Sequence, residues 1–202
     1  MSRKGAACVG IGLWVASSSL AGAEDVIEQI DAGKAYYVEG DLSRALTEFE
    51  FVLDAVRTEF SNLFMTTLPD PPPFWSAEEP ALENAAALFG GGVMVTRQYR
   101  AEKEKGVVTA ELVVDNPMVQ AFSAVIGNPI MVANDPGVRR VRFGDEIGLL
   151  TWKEEERAGE LSLSLGGRVL AKLVGRDLDD ADILLDLMTS WDFKAVAIIA
   201  GF

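Results

Sequence analysis

The side chains able to do chemistry in this sequence are mainly carboxylates. The 202 residues include 31 Asp and Glu against 18 Lys and Arg, with one cysteine, Cys8, and no histidine. Without histidine there is no Ser-His-Asp or Cys-His nucleophile system and no histidine-based zinc site. Lys, Tyr, Ser and the carboxylates are what remain for a catalyst. Asp177-Leu178-Asp179-Asp180-Ala181-Asp182 has the density of a calcium loop but not its order. The fifth place is Ala181, the sixth is Asp182 where a turn glycine is needed, and the twelfth is Met188 instead of a bidentate Glu. The run is expected to cap a helix, where the dipole favours acids. Glu154-Glu155-Glu156 is expected in a solvated turn between strands. Gly90-Gly91-Gly92 lacks the Lys-Ser/Thr of a phosphate loop and precedes a strand, so it is read as a helix terminator or hinge. No motif asks for a cofactor or metal.

Two apolar segments stand out as ligand or partner surfaces. Pro117 to Val132 is nearly free of charge and contains Met118, Phe122 and Met131, side chains that adapt to varied apolar partners. Phe74 and Trp75 end a proline-rich stretch. They serve either as an exposed recognition pair or as pins that hold the stretch to the body of the protein.

The amino terminus has the plan of an export signal. Arg3 and Lys4 precede an uncharged run to about Leu20, and Ala21-Gly22-Ala23 offers small residues just before Glu24-Asp25. The apolar run is too short and too rich in Ser and Gly to span a membrane comfortably. Residues 1–23 are therefore expected to be removed. That takes away Cys8, Arg3 and Lys4, leaving 16 basic against 31 acidic residues, a net charge of −15. The mature chain then enters an oxidising compartment, periplasmic or extracellular, with no disulfide and no thiolate. Its acidity disfavours nucleic acid and anionic lipid as partners.

Three regions follow in the mature chain. A helix is expected from about Val26 to Glu39, a turn at Gly40-Asp41, and a second helix from Leu42 to about Asn62. In the latter, Leu46, Phe49, Leu53 and Val56 recur at steps of three and four, the spacing of one buried face. This hairpin is assigned to 24–66. A proline-rich linker, 67–80, carries Pro69, Pro71, Pro72 and Pro73, which forbid helix. Beyond it, Ser76 with Glu78 and Glu79 suggests a short helix start leading into Leu82 to Phe89. The remainder, 81–202, changes period. Six strands are expected at about 93–101, 107–114, 139–143, 147–153, 159–165 and 168–175, with Gly166-Gly167 as a tight turn. Alternation in Leu161, Leu163 and Leu165 predicts one buried face, with Ser162 and Ser164 in water. Helices are placed after the Asn116 cap and after Asp179 or Asp180. Short turns between neighbouring strands imply an antiparallel sheet of about five or six strands with helices against it, an α+β fold on which the N-terminal hairpin is expected to pack.

The hairpin resembles a tetratricopeptide repeat unit. The small, aromatic, Gly, Ala and aromatic signature positions fall on Gly33, Tyr36, Gly40, Ala45 and Phe49. Arg57 stands where that family has its closing proline, and there is no second copy. The layout of 81–202 is loosely similar to PsbP-like sandwiches of exported proteins.

The resemblance implies protein–protein contact, through Tyr36, Tyr37 or the opposite face. One repeat unit cannot bury its apolar face alone. The function expected is therefore that of an exported, non-enzymatic protein that binds another protein. A carrier or sensor of an apolar small molecule on 117–132 is the alternative, and a carboxylate-based enzyme the second.

Overall fold

The structure, a computed structural model, describes residues 18–83, 91–103, 105–126 and 137–202, with side chains at 18–21, 125 and 126 excepted. The expected small-residue helix at 84–89, most of the export signal and Met131 lie outside the described residues. Two compact units are present, Met1–Val56 and Arg57–Phe202. The boundary falls inside a helix.

The first unit contains α1 (Ser18–Glu39) and the larger part of α2 (Leu42–Met65). Gly40 ends α1 at φ +84°, the left-handed conformation that closes helices, and its N–H donates to the Tyr37 carbonyl at 3.2 Å. Asp41 then caps α2, its Oδ1 accepting from the Arg44 N–H at 3.1 Å. One residue stops a helix and the next starts another. The expected cleavage point after Ala23 lies within α1, so export would leave this helix as Glu24–Glu39.

The second unit is an antiparallel sheet with helices on both faces. Its strands are β1 (Trp75–Ala77), β2 (Ala81–Leu82), β3 (Val93–Ala101), β4 (Val107–Val114), β5 (Val138–Phe143), β6 (Glu146–Lys153), β7 (Ala158–Leu165) and β8 (Val169–Arg176). They run in the order β1-β3-β4-β8-β7-β6-β5, with β2 also on β3. The six expected strands are all present. The two additional ones lie where a linker and a helix start were expected. Ser76 is in a strand, not a helix, because β3 offers its free edge: Ser76 pairs with Arg100 and Ala81 with Thr96.

Alternation puts Leu112, Ala171 and Leu163 opposite one another across three central strands. All three are fully buried. Against this face pack Phe64 from the end of α2, α4 (Asp182–Ser190) and α5 (Phe193–Ala200). The stripe predicted for α4, Leu184, Leu187, Met188 and Trp191, is buried throughout. Gly166 and Gly167, at φ +54° and +67°, make the β7–β8 turn as expected.

The opposite face departs from expectation. Ser162 is buried and Ser164 half-buried, because α3 (Pro117–Ile126) lies over β6 and β7. The hydroxyls of Ser123 and Ser164 are 2.6 Å apart, so the polar residues of β7 meet a helix instead of water. The expected cap holds: Asn116 Oδ1 accepts from the Met118 N–H at 2.9 Å.

Candidate protein-docking face

The hairpin owes its close packing to two small residues. Gly33 and Ala45 are buried, and the Phe49 ring lies over Gly33 so closely that a Cβ there would stand 2.7 Å from Phe49 Cε1. Tyr36 is half-buried, with the Arg44 guanidinium 5.5 Å from its ring centre.

The buried face expected of α2 is different. Leu42, Leu46, Phe49, Leu53 and Val56 are between 40% and 62% exposed. Of this stripe, Phe49 lies against Gly33 of α1. The correction has a simple cause. The contact of Phe49 with Gly33 of α1 leaves most of the surface of the stripe open. The steps between the five residues are four, three, four and three, the spacing of one apolar helix face. The spacing states that the face is apolar and leaves open whether the chain itself or another protein covers it.

Residues of α1 extend the exposed area. Ile30 and Tyr37 stand three residues before and four after Gly33, while Leu46 and Leu53 stand likewise about Phe49. All four therefore surround the Gly33–Phe49 contact, one turn to either side. Ile30 and Tyr37 are 42% and 64% exposed. The charge of the hairpin is one-sided: residues 24 to 56 hold nine acids and two bases. Asp25, Glu28 and Glu48 line an open depression of about 370 Å³ together with Gln29 and Ala32.

The other predicted residues separate. Phe74 is exposed, held at φ +67° with the Lys103 ammonium 5.4 Å from its ring centre. Trp75 is half-buried against the core and pins the chain to it. The two do not form a pair. The proline-rich stretch is held down further by β3: Tyr99 Oη donates to the Pro69 carbonyl at 2.6 Å, and Arg97 Nη1 donates to the same oxygen at 3.1 Å. Met118 is exposed at the start of α3, whereas Phe122 packs against Leu149. The depression beside α3 is lined by Asp115, Asn116, Pro117, Gln120, Gly167 and Arg168, a polar set.

Carboxylates converge at one place in the sheet. Lys172 Nζ lies 3.5 Å from Glu111 Oε2 and 3.7 Å from Glu160 Oε2. Glu111 and Lys172 are register partners on β4 and β8, so this is a cross-strand ion pair shared by a third residue. Within the acidic run, Asp180 Oδ1 accepts from the Asp182 N–H at 2.9 Å and Asp179 pairs with Arg157, but the N-cap of α4 is Ala181, without a side-chain cap, so neither Asp179 nor Asp180 is the cap expected of it and Asp182 supplies the acid of the first turn. Among the described residues no group of three or more His, Cys, Asp or Glu is placed to hold a metal ion, and no helix is long and apolar enough to cross a membrane. Compared with protein-family models, with curated proteins and with solved structures, the chain matches none.

Proposed function

We propose that this chain is an exported, non-enzymatic protein that acts by binding another protein, and that the α1–α2 hairpin is the binding element. The observation that carries the reading is the exposure of a whole apolar stripe on α2, Leu42 to Val56, in a protein whose sheet unit gathers its central apolar residues into one buried core. Large contiguous apolar exposure on a soluble domain is the mark of a contact surface. The tetratricopeptide-like placing of Gly33, Tyr36, Gly40, Ala45 and Phe49 supports the same reading, since such units are made to stack. Export rests on the signal-like plan of residues 1–23, and mature protein recovered from the periplasm or medium is expected to begin at Glu24 by intact mass.

The binding element is tested by placing a photo-crosslinking amino acid at Leu46 and, separately, at Lys194 in the sheet unit. Irradiation in cells should trap a protein at Leu46 and not at Lys194. Equal products at both positions, or none at Leu46, would defeat the proposal.

A further inference from the structure

We infer that the occupant of the α2 stripe is an amphipathic α-helix of net positive charge, an inference that rests on the docking role proposed above. Two independent observations define it. The first is spacing. Leu42, Leu46, Phe49, Leu53 and Val56 follow one another by four, three, four and three residues over the exposed face of α2. A seam at this period stays in line with a second helix through a mild supercoil, and knobs from the partner enter the holes between its residues. A strand or an irregular loop, with its different rise per residue, falls out of step within two turns. Ile30 and Tyr37 of α1, one turn to either side of Gly33, would form the second wall of the groove.

The second observation is charge. Between residues 24 and 56 there are nine carboxylates and only Lys34 and Arg44 to oppose them. That net −7 is nearly half of the −15 of the mature chain, on fewer than a fifth of its residues. A field of this sign acts over about 8 Å at physiological salt, and Glu50 lies next to Phe49 of the stripe in sequence. It attracts a basic partner and raises the association rate. It repels a second copy of the same hairpin, which would bring −7 against −7. The surface is also large enough. Seven residues exposed by 40% to 64% present apolar area of the order of 700 Å², close to the ~800 Å² per partner of a standard interface.

The test uses the mature protein and three labelled synthetic peptides, read by fluorescence anisotropy. One peptide has Leu at heptad a and d positions and Lys elsewhere; one has the same Leu with Glu elsewhere; the third scrambles the first. The Lys peptide should bind at least about tenfold tighter than either control, and its affinity should fall as salt rises. Binding should be lost in the double substitution Leu46→Ser, Leu53→Ser, which keeps every charge and whose folding is checked by circular dichroism. Equal binding of the Glu peptide, still dependent on Leu46 and Leu53, would overturn the charge inference and leave docking intact. Lys-peptide binding that survives the double substitution, or that the scrambled peptide matches, would show simple ionic attraction and overturn the seam. A dimer seen by sedimentation equilibrium and abolished by the same substitutions would give the seam to a second copy. Failure of all three peptides to bind would defeat both this inference and the docking face itself.

Discussion

Tyr99 joins the core of the sheet unit to the proline-rich stretch through one side chain. Its ring is fully buried on β3 and its hydroxyl donates to the Pro69 carbonyl, so it ties the proline-rich stretch to the sheet. Burial, opposed in part by the Arg97 guanidinium, pushes the phenol from 10.0 up to about 12. The unfolded chain releases this proton near pH 10 while the folded chain keeps it. Its stabilising contribution is therefore complete below pH 10 and is lost as pH rises from 10 through about 12. Tyr99→Phe should remove that loss from the pH profile, measured by urea denaturation between pH 8 and 12, and should cost about 1 kcal/mol at pH 8 for the missing hydrogen bond. An unchanged alkaline limb in the variant would refute the assignment. The residue types at 97 and 99 were legible in the sequence, but their shared target was not. A carbonyl thirty positions away becomes their acceptor only when β3 runs beneath the linker.

At the scale of elements, the hairpin can be tested at its closest approach. Gly33→Ala gains about 1 kcal/mol of helix propensity but brings a methyl group within 2.7 Å of Phe49 Cε1. The atom it meets is the far end of a side chain that can swing, so the two effects should nearly cancel. Gly33→Leu leaves no such escape and should part the helices. Hydrogen exchange of residues 26–56 should separate the two variants: near-native protection in the first, fast exchange in the second. The seam gives the opposite expectation. Leu46→Ser with Leu53→Ser removes side chains already about half exposed, and should change the stability of the free chain by no more than about 1 kcal/mol. A much larger loss in urea denaturation would mean that the stripe is covered within the chain itself. Helix existence and the Gly40-Asp41 break could be read from the sequence because caps and periodicity are local. Whether the stripe was covered could not, since a period of three and four states that a face is apolar and says nothing of what meets it.

At the scale of the molecule, the two units should differ in stability. The sheet unit has a continuous core running from Phe64 to Ala200. The described part of the first unit has Gly33 and Ala45 as its buried contact residues. Local opening free energies follow such differences in buried apolar contact. Native-state hydrogen exchange should thus show α1 opening at a much lower free energy than β4, β7 and β8. Matching protection in the two units would instead make the chain one cooperative body. Partner binding, by the linkage of ligand to fold, should raise the protection of α1 and α2 selectively.

The amino-acid sequence determined the elements and their faces. Six of the eight strands, the Gly166-Gly167 turn, the Asn116 cap, the stripe of α4 and the turn at Gly40 all follow from local propensity and periodicity. It determined as well the acidity of the hairpin and the absence of histidine, which are matters of composition. The tertiary structure decided what each face meets. It recruited 75–77 and 81–82 as strands because β3 had a free edge. It set Ser164 against Ser123 of α3, and it left Leu42 to Val56 uncovered on α2. Backbone edges and neighbouring helices are supplied by residues distant in the chain. Periodicity records the apolar face, and only the arrangement of distant elements fixes its partner.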